Sequence, residues 1–203
     1  MSTKADSGNH GNFLNLGGEL NRPRKKAALL TVPIVCAVIA RALELDELAF
    51  AALIALSFHC MLLRTGEALA LQFKALELGD EVGVCSLYSS KSGLRTGSEE
   101  AVSIRDPLVL DLLPLTLVEC QFRGQRLWPH SSQSFRNRLK AYMRFFRISH
   151  LNMKPYSLGR GGATWLLQQG VPLDVILVRG RWKSLGVARL YLEDGLGKLR
   201  SYG

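Results

Sequence analysis

Two apolar runs, Ala27 to Ala40 and Leu48 to Leu63, lie almost back to back and are parted only by a short junction containing Glu44, Asp46 and Glu47. Each falls short of the roughly 20 residues that a bilayer crossing needs, and Pro33 interrupts the first, so both read as core helices and not as membrane spans. Their spacing places helices near 32–44 and 47–63, with Asp46 as the N-cap of the second. Burying two such helices takes a sizeable core. The 203 residues, 47% of them hydrophobic, suffice for one domain of that kind but not for two.

Beyond Gly66, where a polar turn marks a break, the texture changes. From Leu71 to Arg105, short runs of Val, Leu, Ile and Tyr are separated by Gly79-Asp80, Ser92-Gly93 and Gly97-Ser98. That pattern predicts a small antiparallel sheet with Lys91 at a hairpin end. Helical periodicity returns at about 107–121 and at 132–147, where Phe135, Leu139, Tyr142, Met143 and Phe146 recur among basic residues, so one face packs while the other is cationic. Further helices are expected near 157–169, 172–179 and 185–193, with Gly170 and Gly180 as stops and Pro172 as a start. The expected fold class is mainly α with a small antiparallel β-sheet (α+β). Residues 1–26 read as a disordered basic arm, rich in Gly, Asn and Ser and ending in Arg22-Pro-Arg-Lys-Lys26, and 27–203 as the folded domain.

Charge is distributed unevenly. The formal net charge is +9, and between Cys120 and Leu173 no Asp or Glu occurs, whereas Arg123, Arg126, Arg136, Arg138, Lys140, Arg144, Arg147, Lys154 and Arg160 all fall there. Elsewhere basic residues and acidic ones balance, so this stretch carries the whole excess. An unbroken absence of acids favours a phosphate-contacting surface over an ordinary solvated face. Cys36, Cys60, Cys85 and Cys120 form no C-x-x-C pair, which speaks against a zinc ribbon or a thioredoxin-like site and fits buried free thiols in a reducing, intracellular compartment. The first ten residues lack the apolar core of a signal peptide.

Four short elements carry chemistry. Arg64 is followed by Glu67 one helical turn later and by Leu71; on its own, an Arg–Glu pair at this spacing is usually a capping or surface interaction. Lys91 stands 27 residues downstream in the predicted hairpin. Then come Pro155-Tyr-Ser-Leu-Gly-Arg-Gly-Gly-Ala-Thr164 and Gly180-Arg-Trp-Lys-Ser, with Tyr191 nine residues after Trp182. In order and spacing this set resembles the catalytic domain of the tyrosine recombinases (phage integrase family), the DNA breaking-and-rejoining proteins of mobile genetic elements. The likeness spans roughly Leu53 to Tyr191.

The resemblance implies a set of roles. Tyr191 is the nucleophile that forms a 3′-phosphotyrosyl link, and Lys91 the acid that protonates the leaving 5′-oxygen. Arg64 forks onto non-bridging oxygens, Trp182 donates through its indole N–H, and Glu67 supports Arg64. Cleaving a phosphodiester without a metal needs such a nucleophile, donors for the developing negative charge and an acid. Tyr156 occupies the place of a histidine in the family pattern, and Gly159 the place of its second arginine. Arg160 is the neighbouring substitute, which needs a register change, or a loosened N-terminal turn of the kind the Gly161-Gly162 pair permits, to reach the same phosphate, because one residue rotates a helical side chain by about 100°. Losing one preorganised donor lowers the rate roughly 10²–10³-fold. Catalysis is therefore expected to be impaired, with a catalytically dead DNA-binding remnant as the alternative and a type IB topoisomerase sharing the same chemistry. The implied partner is double-stranded DNA, contacted through Arg136, Arg138, Lys140, Arg144, Arg147, Lys154, Arg181 and Lys183, with a homo-oligomer assembled on it. No metal or organic cofactor is implied, and no membrane.

Overall fold

A computed structural model describes residues 28–60, 64–87, 100–182 and 186 of the chain. The basic arm, Lys91, Lys183, Tyr191 and all of the helix expected at 185–193 except Gly186, which is helical, lie outside the described residues.

The fold is built around one helix. α1 (Val32–Glu44) starts with Pro33 in its first turn, where a missing N–H costs nothing, and α2 (Leu48–His59) is buried without interruption from Phe50 to Phe58. A helix apolar on every side must be surrounded on every side. α1, α4 (Pro107–Val118) and α6 (Tyr156–Gln168) all pack against it. At its start, Phe50 stacks on Tyr142 with ring centroids 5.2 Å apart and meets Phe135 and Trp128 at 5.1 and 6.0 Å. At its end, Phe58 and His59 meet Trp165 at 6.2 and 5.4 Å. α2 thus joins α5 (Ser132–Phe145) to α6.

After α2 come a short helix α3 (Thr65–Ala70), a 3-10 turn at Phe73–Ala75 and the sheet, with strands β1 (Leu76–Leu78), β2 (Gly83–Leu87) and β3 (Glu100–Ile104). The sheet is antiparallel in the order β1-β2-β3, with Leu76 opposite Cys85, Cys85 opposite Val102, and Leu87 opposite Glu100. Gly83, Cys85 and Leu87 are buried while Val84 and Ser86 are half-buried, the alternation of a sheet laid on a core by one face. After the sheet and α4 and α5 come α6 and α7 (Leu173–Arg179). The mainly α architecture with a small antiparallel sheet is the one the sequence leads one to expect. Among the described residues, no helix is long and apolar enough to cross a membrane.

Several boundaries differ from the sequence reading, each for a backbone reason. Gly66 does not break the chain but lies inside α3, and α2 stops at His59 instead of running to 63. Asp46 does not cap α2, whose N-cap is Glu47; Asp46 has a φ of 58° and ends α1 instead. Its N–H donates to Leu43 O at 3.0 Å, and the next N–H, of Glu47, donates to Ala42 O at 2.8 Å, the pair of bonds of a Schellman ending. Glu47 is thereby aimed at α5, accepting from Arg138 Nη1 at 2.6 Å and Tyr142 Oη at 2.8 Å. The same ending closes α5 at Arg147, α6 at Gly170 and α7 at Arg181, which have φ of 58°, 77° and 51°. Gly180 does end α7, but the left-handed residue is Arg181, one position later.

Gly161 lies in the buried middle of α6, where a Cβ would stand 2.0 Å from the carbonyl oxygen of Leu30. Backbone touches backbone there, so the glycine serves packing. Gly161→Ala is expected to destabilise the fold by about 3 kcal/mol or more through overpacking. Gly159→Ala, whose Cβ has nothing within 4 Å, is expected to be neutral or stabilising by about 0.5–1 kcal/mol through helix propensity. Paired urea denaturation curves check both values.

Candidate functional site

Arg64 is the N-cap of α3, and Glu67, at the third helical position, reaches back to accept its backbone N–H at 3.1 Å. This local bond explains the spacing of three between them. Their side chains also pair, Arg64 Nη1 to Glu67 Oε1 at 3.5 Å, yet the arginine is 51% exposed while the glutamate is 9% exposed. Glu67 is therefore fixed in the protein and Arg64 is offered to solvent from it.

A second arginine converges on the same carboxylate. Arg181 Nη2 donates to Glu67 Oε2, and Arg181 Nη1 donates at 2.6 Å to Glu100 Oε2, at the first residue of β3. Expected on a DNA-facing surface, Arg181 is turned inward, with its side chain 14% exposed. Trp182 follows directly. Its backbone N–H donates to Leu177 O at 3.1 Å, and its ring lies so near Gly180 that a Cβ there would stand 3.1 Å from it. The indole packs on the small cluster that Ala163, Leu166 and Ile176 form between α6 and α7.

Tyr156 opens α6 and is half exposed, and Gly159 follows one turn later, with none of the described residues within 4 Å of where its Cβ would stand. Arg160 is 6% exposed on a different face of that helix. The loosening that would bring it round is not present: α6 is helical through Gly161 and Gly162, and Arg160 O accepts from Thr164 Oγ1 at 3.0 Å as in a regular turn. The glycine pair that suggested flexibility lets α6 approach the Leu30 carbonyl instead.

Among the predicted phosphate-contacting residues, Arg136, Lys140 and Arg144 recur every four positions on the exposed face of α5, opposite buried Phe135, Leu139, Tyr142 and Met143, and exposed Arg147 follows. α3, the element carrying Arg64, packs against this helix. Arg138, also exposed, is spoken for by Glu47, and Lys154 is half-buried.

Compared with solved structures, the chain is similar to XerH site-specific recombinase in a post-cleavage complex with palindromic difH substrate, at a TM-score of 0.67 and 16% identity over 87% of this chain and 52% of that one. It is similar to XerA recombinase at 0.68 and 14%, over 91% of this chain and 66% of that one. The Tn1549 transposon integrase in complex with circular-intermediate DNA gives 0.57 and 12%, over 81% and 60%. The chain has a tyrosine recombinase-like fold. It spans about half to two-thirds the length of the recombinases it matches. No family model and no curated protein matches the sequence.

Within this recombinase-like fold, sequence reasoning missed a half-buried polar pair. His59 Nδ1, at the end of α2, lies 2.8 Å from Asp106 Oδ2, and the Asp106 side chain also caps α4 by accepting from Val109 N at 3.3 Å. The residues are far apart in sequence and match no motif, so nothing short-range could have joined them. Burial pushes the Asp106 carboxyl up, but the bond and charge of His59 and the N–H groups of Val109 and Leu108 outweigh it and hold it below its ordinary value. Of the four cysteines, Cys60 and Cys85 are buried as expected, and burial drives both thiols up to about 12, so they are unreactive. Cys36 is exposed, contrary to the sequence reading.

The lowered Asp106 carboxyl has a consequence for acid stability. A group whose folded value is depressed contributes fully above its unfolded value, about 3.9, and loses that contribution as pH falls through the folded value. Asp106→Asn, which keeps a capping side chain, is expected to be less stable than the wild type at neutral pH and to show a shallower stability loss below about pH 4. Thermal melts between pH 2 and 7 check this; parallel curves for the two proteins would count against the pairing.

Proposed function

We propose that this chain is a DNA strand transferase of the recombinase and integrase type, which cleaves and rejoins double-stranded DNA through a 3′-phosphotyrosyl intermediate. The observation that carries this reading is the meeting of two motif-bearing segments in a recombinase-like fold. Arg64, with its partner Glu67, and the turn that holds Trp182 are joined through Arg181, 114 residues from Glu67 in sequence.

In this reading the Tyr191 oxygen attacks the scissile phosphorus, the bond to the 5′-oxygen breaks, and Lys91 supplies the proton to that leaving oxygen. Negative charge grows on the non-bridging oxygens. Arg64, exposed and oriented through its own backbone bond to Glu67, donates to them, with Trp182 Nε1 and the Tyr156 hydroxyl as further donors. The stripe of Arg136, Lys140, Arg144 and Arg147 neutralises flanking phosphates and sets the register of the duplex without reading bases. Gly159 favours a second reading, a DNA-binding remnant without chemistry. It stands at an open position of α6 and contributes no donor where the family pattern has an arginine.

A nicked suicide duplex separates the two. A covalent protein–DNA adduct on a denaturing gel that disappears in Tyr191→Phe is the outcome expected of the transferase, whereas DNA binding with no adduct supports the remnant. For either reading, Arg136→Ala and Arg144→Ala are each expected to weaken DNA binding and reduce the slope of log K against log salt by about 0.9. Fluorescence anisotropy across a salt series measures this, and affinity indifferent to salt would overturn both readings.

A further inference from the structure

Arginine is a poor choice for position 181 on backbone grounds. Its φ of 51° lies in the left-handed region, at the helix-ending position where glycine normally escapes a steric penalty. A glycine is present one residue earlier, but there φ is −75° and the indole of Trp182 occupies the space a side chain would need. What the arginine gains is made by its side chain. Its two terminal nitrogens bind two different carboxylates, Glu67 in α3 and Glu100 in β3, at sequence separations of 114 and 81 residues. A planar guanidinium with divergent donors suits this task, and a lysine, with one compact charge, does not.

The sharing of Glu67 is unequal. Arg181 takes the closer contact, while the Arg64 guanidinium stands 3.5 Å from the other oxygen and remains 51% exposed. With Glu100 also bound to Arg181, two guanidinium groups and two carboxylates balance in charge, and the Arg64 guanidinium, on the solvent side, keeps the longer contact. Without Arg181, the Glu67 carboxylate would lose its closer partner and close onto Arg64, occupying donors that a phosphate needs.

We infer that Arg181 is a positioning residue for strand transfer. By binding Glu67 and Glu100 together it fixes α3, the start of β3 and Trp182 relative to one another, and it keeps the Arg64 donors available. The inference rests on the function proposed above. A direct DNA contact is the competing role, but both terminal nitrogens are engaged on carboxylates and the side chain is largely buried, so a phosphate would have to displace an acid to reach it.

The test uses the full chain, the nicked suicide duplex and three variants: Arg181→Gly, which removes the side chain and relieves the backbone, Arg181→Lys, and Arg181→Gly combined with Glu67→Gln. Arg181→Gly is expected to slow adduct formation at saturating DNA by about tenfold or more while DNA affinity stays within about twofold. In the DNA-free protein it is expected to speed amide hydrogen exchange in both 65–70 and 100–104. Arg181→Lys restores little of either. Adding Glu67→Gln restores part of the adduct rate by freeing Arg64, without restoring exchange protection, a rescue that a merely structural ion pair would not show. Affinity falling in step with rate would make Arg181 a DNA contact and overturn the inference, as would a double variant no faster than Arg181→Gly, or exchange altered only around 178–182. If the wild type forms no adduct, the strand-transfer reading fails on its own, and exchange at the two distant segments alone decides whether Arg181 couples them.

Discussion

Everything in this fold depends on the complete burial of α2. With no residue between Phe50 and Phe58 left for water, the helix is stable only when enclosed, and the need to enclose it dictates the positions of its neighbours. α1 returns along it, α4 and α6 cover its flanks, and the aromatic groups at its two ends draw in α5 through Phe50 and α6 through Phe58 and His59. The close contact of Gly161 with Leu30 follows from the same demand. α6 must come near enough to seal α2 while the chain entering α1 passes across it.

The candidate site is tied to this frame by ion pairs as well as by apolar packing, through Ala68 and Leu69 of α3 and Ile104 of β3. α3 is a single short helix and β3 a five-residue strand, and neither brings a core of its own. Glu47, Glu67, Glu100 and Asp106 each tie one element to another that is distant in sequence. These four acids are thus used inside the framework, while the exposed face of α5 carries arginine and lysine. A protein with a net charge of +9 that spends carboxylates on internal ties presents its cations outward, and long-range attraction to a polyanion follows from that division.

Helices, sheet and fold class were legible because they are written in local periodicity. α1 is apolar with a proline in its first turn, α5 repeats apolar residues at helical spacing, and paired glycine-containing turns separate the strands. Helix ends were less legible, because a Schellman ending is recognised in sequence by glycine, and three of the four here use Asp46, Arg147 and Arg181. The site was half legible. The Arg64 to Glu67 spacing encodes a local backbone bond and could be read directly, but the pairing of Arg181 with Glu67 and Glu100, and of His59 with Asp106, joins residues that meet only after α2 is enclosed. Arg181 was misread as a surface cation for that reason. The double glycine after Arg160 read as slack because a sequence does not show which backbone passes overhead.

The central claim is that this recombinase-like frame holds a strand-transfer site short of one donor at Gly159, and the most direct measurement restores it. Among the described residues nothing stands within 4 Å of a Cβ at 159, so Gly159→Arg adds a guanidinium to the first turns of α6 without displacing any of them. The rate of covalent adduct formation on a nicked duplex, compared between Gly159→Arg and the wild type at equal DNA occupancy, is expected to rise roughly 10²–10³-fold, the usual worth of one oxyanion donor. An unchanged or lower rate in a variant that melts at the wild-type temperature would contradict the claim.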